Sequence, residues 1–274
     1  MKQQITLLPY GGLCNRMNAI TSALTLAEMH PEAQVEILWT PKKWCAAPFS
    51  ALFEPIGNDR VRLADVPSLP LLRQRSLPRN LRMAGRIREL LGIRNIEDYY
   101  PGRHDIFALM GKAQKVYIST CQRFLAGGNQ QSLFTPLPHI LATLDRATAA
   151  FTPSTYGFHI RRGDHAYSTA HSPLEAFTAR MDALAEADAQ ARFYIATDDA
   201  TVKQTLTTRY AHRIITYQAT LERHSLAGMQ DAVVELFALS RTRKIYGSAT
   251  SSYSEVAAEL GGIEIETVRK DDGK

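Results

Sequence analysis

Along the second half of the chain, short apolar runs alternate with longer segments of helical period. The runs are rich in β-branched and aromatic residues and fall at Tyr156 to Ile160, Arg192 to Ala196, His212 to Thr216, Arg243 to Tyr246 and Gly262 to Ile265. Between them, Pro173 to Ala187, Asp199 to Arg209, Gln230 to Ser240 and Ser252 to Leu260 read as helices, the last ended by Gly261-Gly262. Strands alternating with helices predict βαβ units and a parallel sheet, here of the size of one Rossmann-like half. The first half is similar but less regular. Ile5 to Leu8, Val35 to Trp39 and Val116 to Ser119 read as strands, and Asn15 to His30 and Leu137 to Ala150 as helices. From Pro41 to about Pro101 the periodicity is poor, apart from a helix near Asn80 to Leu91, and the segment reads as an insertion. Turn chemistry at Phe151-Thr152-Pro153-Ser154 sets the expected boundary, giving domains of 1–152 and 153–274.

Composition narrows the class. The chain has 274 residues, 45% of them hydrophobic and 22% charged, as in an ordinary globular protein with ample core. Its net charge of +5 is mildly basic and suits a polyanionic ligand or a nucleotide. Cys14, Cys45 and Cys121 are odd in number and lack a C-x-x-C pair, which argues against a disulfide framework and a structural zinc site. The opening apolar run stops at Pro9, short of a signal-peptide h-region. No apolar run approaches the roughly 20 residues that span a bilayer, so the expectation is a cytoplasmic protein.

Polar residues cluster where the predicted strands end, the place where open α/β sheets bind ligands. His159-Ile160-Arg161-Arg162-Gly163-Asp164 puts two guanidiniums, an imidazole and a carboxylate beside one another. An arginine fork suits a phosphate, and strand alternation puts His159 and Arg161 on one face with Arg162 on the other. Arg161 is therefore the expected phosphate ligand and Arg162 the expected loop holder, though still counted among the donor-binding residues, while a plain surface ion pair with Asp164 stays open. Gly11-Gly12-Leu13-Cys14-Asn15-Arg16 joins a strand to a helix, either as a ligand loop or as a tight turn capped by Asn15. It is neither a Walker loop nor a dinucleotide fingerprint. Thr197-Asp198-Asp199 either caps a helix, through Thr197 or Asp198, or offers a carboxylate to a ligand. Gly247 to Ser252 is a third such junction, a capped turn or a second phosphate cradle.

Together these segments resemble the motifs of the α1,2-, α1,6- and protein O-fucosyltransferase superfamily, which includes the bacterial nodulation fucosyltransferases. His159 to Asp164 is similar to its H-x-R-R-x-D signature, and Gly11 to Arg16 to its G-x-x-x-N loop, with Cys14 where glycine is usual. Phe193 to Asp199 resembles its A-T-D-D segment, and Ser248 to Ser254 its S-x-x-S-S motif. The resemblance implies an α/β, GT-B-like fold of two Rossmann-like domains facing across a cleft, the second holding the donor. It implies metal-independent, inverting transfer of fucose from GDP-β-L-fucose to a glycan hydroxyl, without a cofactor. The sequence carries no D-x-D motif, in keeping with that.

Position by position, the resemblance implies that Arg161 binds the β-phosphate, His159 helps hold the guanosine, and Ser251 and Ser252 add phosphate contacts. Asp198, Asp199 or Asp231 would contact the nucleoside or support the arginine. Asn15 would reach the donor from the first domain, beside Gly11, Gly12 and Arg16. Asp164 and Glu175 are candidate bases, and a donor phosphate oxygen is the alternative. Arg73, Arg75, Arg79, Arg82, Arg86, Arg88 and Arg94 read as a solvated helix face, or as a patch for an anionic glycan or a peripheral membrane contact. A nucleic-acid groove is disfavoured, because aromatics do not interleave with these charges. A catalytically silent nucleotide-sugar-binding or glycan-binding protein on the same fold is the alternative function.

Overall fold

The computed structural model describes residues 3–69, 82–97, 99, 105–163, 166–220 and 222–270. Contacts divide the chain into two compact units, Met1–Thr135 with Arg223–Leu226, and Pro136–Glu222 with Ala227–Lys274. The division falls before the helix expected to close the first domain. That helix (Pro138–Thr148) belongs to the second unit, where Asp145 accepts a hydrogen bond from Arg241 at 2.7 Å.

In the first unit the order is β1 (Gln3–Pro9), α1 (Leu13–Met29), β2 (Ala33–Trp39), β3 (Gly57–Asn58) and β4 (Val61–Asp65). It continues with α2 (Arg82–Leu90), β5 (Ile93–Glu97), α3 (Ile106–Met110), β6 (Lys115–Thr120) and α4 (Gln130–Leu133). The sheet order is β3-β4-β2-β1-β6-β5, parallel except for the short β3. Central β1 pairs with β2 on one side and β6 on the other, so the strand order switches at β1. The strands at β4 and β5 lie in the span read as irregular: each is five residues long and only partly buried, so neither gives the continuous apolar run of a central strand.

Helix α1 is buried around most of its circumference, which puts hydroxyls inside the unit. Thr21, Ser22 and Thr25 satisfy themselves by donating back to the carbonyls of Met17, Asn18 and Thr21 at 2.9–3.1 Å. Ser22 also accepts from the backbone N–H of Phe124 and Leu125.

The second unit runs α5 (Pro138–Thr148), β7 (Thr155–Ile160), α6 (Ala166–His171), α7 (Leu174–Ala187), β8 (Arg192–Thr197) and α8 (Ala200–Tyr210). It ends with β9 (Ile214–Thr216), α9 (Leu226–Ser240), β10 (Lys244–Ser248), α10 (Ser252–Gly261) and β11 (Glu264–Val268). All pairs in the sheet β11-β10-β7-β8-β9 are parallel. Every residue of β7 is buried, as expected for a central parallel strand covered on both faces. Phe158 stacks on Tyr246 at 4.9 Å and meets Phe193 edge-on at 5.5 Å. This register sets the site: His159 lies beside Ala196 of β8 and Gly247 of β10. The chain leaves β7 for β8 and β9, then returns on the other side as β10, so β7 and β10 flank a topological switch point.

Candidate functional site

The predicted clusters of the second unit come together at that switch point. Arg161 and Asp198 form an ion pair at 2.5 Å, with side chains 17% and 22% exposed. The other oxygen of Asp198 accepts from the backbone N–H of Arg162 at 2.7 Å and of Gly163 at 3.2 Å. One carboxylate therefore folds the turn after β7 and aims the guanidinium. Gly163 is required there, since a Cβ on it would stand 2.7 Å from the Asp198 carboxylate. Neighbouring strand ends tie in as well. The backbone N–H of Arg161 donates to Ser248 Oγ at 2.9 Å, and Thr197 Oγ1 donates to the carbonyl of Ile160 at 2.7 Å.

The two arginines differ as strand alternation predicts. Arg162 turns inward, donating through Nη1 to the carbonyls of Arg161 and Ser172, each at 2.9 Å, and lying over Phe177. It holds the loop. His159 is 6% exposed, and burial first, then the Arg161 charge, lowers its pKa to about 4. It is a neutral ring near pH 7, tilted against Tyr253 at 4.8 Å, with Ser251 Oγ 3.4 Å from Nδ1.

The third junction adds strained backbone and helix-end donors. Thr250 sits at φ +56, a left-handed conformation that a β-branched residue adopts only under constraint, at a cost of about 1–3 kcal/mol. The constraint is visible next door. The Ala249 carbonyl accepts from Ser168 Oγ at 2.6 Å, and its N–H donates to Ser172 Oγ at 2.9 Å. Helix α10 starts at Ser252 after Ser251, whose side chain makes no capping bond. The first N–H groups of a helix favour an anion. Gly247 lets α10 approach β10, as a Cβ there would lie 2.5 Å from Ser254 Oγ.

Several expected ligand groups have structural partners. Asp199, rather than Thr197 or Asp198, caps α8, accepting from the N–H of Thr201 at 2.8 Å and Val202 at 3.1 Å. Asp231 receives the Tyr217 hydroxyl on one oxygen and the Thr220 N–H on the other, at 2.6 and 2.7 Å, and so holds the loop after β9. Asp164, proposed as a base, lies outside the described residues. Glu175 is exposed in the first turn of α7.

In the first unit, Gly11 takes φ +84, and Gly12 is the N-cap of α1. Asn15 is thus not the cap but the third residue of the helix, half-buried. A Cβ on Gly11 would meet the Asn15 side chain at 3.1 Å and Cys121 at 3.4 Å, so strand ends β1 and β6 converge on Asn15. Arg16, expected near the donor, is 2% exposed. It donates to the carbonyls of Gly11 at 3.0 Å and Thr40 at 2.8 Å, and lies over Trp39 at 4.8 Å. Burial lowers its pKa from the ordinary arginine value. It ties the ends of β1 and β2 together.

The arginine-rich segment is not a uniform solvated face. Arg88 is 1% exposed, paired with Glu97, bonded to Asn95 at 2.8 Å and stacked over Tyr117 at 3.9 Å. Arg86 and Arg94 are exposed, Arg82 begins α2, and Arg73, Arg75 and Arg79 lie outside the described residues.

One group escaped sequence reasoning. Glu235 sits inside apolar α9, and burial pushes its carboxyl up to about 8, against the opposing pull of Lys203 at 3.8 Å. The Tyr194 hydroxyl has no hydrogen-bond partner among the described residues, and burial first, then Glu235, raises its pKa. The signal was a lone acid within Ala232-Val233-Val234-Glu235-Leu236-Phe237. Among the described residues, no three His, Cys, Asp or Glu side chains are grouped so that they could hold a metal ion. No described helix is long and apolar enough to cross a membrane.

No family model and no curated protein matches the sequence. Solved structures are similar in fold. The α-1,6-fucosyltransferase NodZ, soaked with GDP-fucose, is 18% identical with a TM-score of 0.61, covering 95% of this chain and 93% of its own. A mutant of Arabidopsis thaliana FUT1 in complex with GDP is 13% identical with a TM-score of 0.63, covering 99% of this chain and 71% of its own. POFUT1 in its apo form is 10% identical with a TM-score of 0.61, covering 97% and 98%. The chain has the fold of these fucosyltransferases.

Proposed function

We propose that this chain is an inverting, metal-independent glycosyltransferase that moves fucose from GDP-β-L-fucose to a glycan hydroxyl. The second unit would carry the donor and the first the acceptor side. The observation that carries the reading is the Arg161–Asp198 pair at the β7–β10 switch point, beside the start of α10. GDP in the FUT1 structure and GDP-fucose in the NodZ structure support the choice of donor.

In this reading the acceptor oxygen attacks the anomeric carbon from the side opposite the phosphate. The carbon–oxygen bond to the β-phosphate breaks, and negative charge grows on GDP. Arg161, held by Asp198, and the N–H groups of Ser251 and Ser252 meet that charge without reorganising, which is usually the largest catalytic contribution. His159, neutral, packs the nucleoside end with Tyr253 and donates no charge. Asn15, on the loop with Gly11 and Gly12, is the residue of the first unit that would serve the donor. The acceptor proton passes to Asp164 or to a donor phosphate oxygen. Asp199, Asp231, Arg16 and Arg162 build the frame.

The test is transfer of labelled fucose from GDP-fucose to an acceptor panel with a chelator present. The expected result is chelator-insensitive transfer that falls by roughly 10²–10³ in Arg161→Ala. Absence of both GDP binding and transfer by the folded protein would overturn the reading, and loss of activity on chelation would overturn its metal independence.

A further inference from the structure

The turn after β2 is built as a rigid mount for an exposed aromatic ring. Lys42 and Cys45 exchange backbone hydrogen bonds at 2.9 and 2.8 Å and close the turn. Its base is anchored on both sides. Cys45 is fully buried, and burial pushes its thiol up to about 11. Thr40 accepts from Arg16, and Trp39 donates to the carbonyl of Ala47 at 2.8 Å. The ring of His224 lies 2.6 Å from the Lys43 carbonyl, and because a carbonyl only accepts, Nδ1 is the protonated nitrogen. Trp44 projects from this mount 46% exposed, with the Lys43 ammonium 5.4 Å from its ring centroid.

Its place and its charge restrict what it can serve. The Trp44 carbonyl is 4.0 Å from where a Cβ on Gly12 would stand, so the turn adjoins the loop that carries Asn15. Lys42 and Lys43 are both exposed, and no acid occurs from Thr40 to Ser50. A Trp presents a large, rigid apolar face with little entropy to lose on binding. The C–H face of a pyranose is the complementary surface in a glycan, and a carboxylate on that sugar complements two ammoniums.

We propose that Trp44, Lys42 and Lys43 form the acceptor platform, and that the acceptor glycan carries an acidic pyranose of the hexuronate type. This rests on the transferase reading. It adds the chemical class of the acceptor and the residues that select it. The platform sets acceptor affinity rather than the chemical step, so its loss raises acceptor KM and spares donor binding.

The chain has two tryptophans, buried Trp39 and exposed Trp44, so iodide-accessible fluorescence reports on Trp44. Hexuronate oligosaccharides and their carboxyl-reduced counterparts are titrated against the full chain, with GDP titrated separately. The expected result is that the native oligosaccharides shield Trp44 in a salt-sensitive way and the reduced ones bind more weakly. In transfer assays, Trp44→Ala should raise acceptor KM by about tenfold or more, as for an aromatic anchor, with GDP affinity unchanged. Lys42→Gln with Lys43→Gln should raise KM for the acidic acceptor alone. Equal binding of native and reduced oligosaccharides, or no shielding of Trp44, overturns the proposal even where GDP binds. A protein that fails to bind GDP instead overturns the transferase reading, and the fluorescence titration still decides the platform.

Discussion

Each unit places an arginine just after a central strand at a switch point, and the two are used in opposite ways. Arg16 follows the glycine loop into α1 and is 2% exposed, with its guanidinium donating to two main-chain carbonyls across β1 and β2. Arg161 follows β7 and keeps its side chain 17% exposed, paired with a carboxylate that also folds its own turn. A guanidinium committed to carbonyls is frame. One oriented by a carboxylate at a partly open strand end can still meet a phosphate. Residue type and position were alike in sequence, and partner chemistry separates them.

Exchanging these roles by mutation gives the largest expected effects. Arg161→Ala should cost roughly 10²–10³ in fucose transfer, with little change in thermal midpoint. Arg16→Ala should do the reverse. It leaves two carbonyls unpaired and a cavity beside Trp39, a loss of about 3 kcal/mol or more, seen as a large drop in urea midpoint. A variant of Arg16 that kept full stability but lost transfer would erase the distinction.

Next in size is the turn that aims Arg161. Gly163→Ala forces a methyl to within 2.7 Å of the Asp198 carboxylate. Overpacking of this kind costs about 1–3 kcal/mol, and here it should appear in GDP affinity more than in global stability. Asp199→Ala is the control, next to Asp198 on the loop after β8. It removes the cap of α8, about 1 kcal/mol, and should leave GDP affinity within a factor of two or so.

The buried titratable groups give a smaller, pH-dependent signature. Glu235, with a folded value of about 8, holds its proton over a range where the unfolded chain has released it. Stability should therefore decline as pH rises from about 5 to 8, by at most about 1.4 kcal/mol per pH unit. His159, lowered to about 4, works in the opposite sense: the unfolded chain binds a proton that the folded one does not. Its contribution is present above about pH 6.5 and is lost as pH falls towards 4. Of these two groups only Glu235 titrates between pH 6.5 and 8, so chemical denaturation of Glu235→Gln should lose its share of the downward slope seen there in wild type. An unchanged slope would show that Glu235 is ionised in the folded protein.

What was legible in sequence follows the same division. The second unit reads well because β7, β8 and β10 are buried strands with strong apolar runs, and their register brings His159, Ala196 and Gly247 side by side. The different partners of Arg161 and Arg162 agree with strand alternation. Partners distant in sequence were not legible. Nothing local shows that Arg88 meets Glu97 and Tyr117, or that Arg16 reaches Thr40. Caps shift by a single residue, so Asp199 rather than Asp198 took α8, which left Asp198 for the turn. Thr250 could not be foreseen either, because its strain is imposed by Ser168 and Ser172 from α6 and the residue that follows it.

The central claim is that Arg161, alone among the arginines at these junctions, serves the nucleotide phosphates. Calorimetric titration of GDP without added metal tests it most directly, on wild type, Arg161→Ala and Arg162→Ala, each first shown to be folded. GDP should bind wild type and lose at least about tenfold in affinity in Arg161→Ala, the loss of one charge-assisted phosphate contact. Arg162→Ala should lower stability more than affinity. Equal GDP affinity in wild type and folded Arg161→Ala would contradict the account.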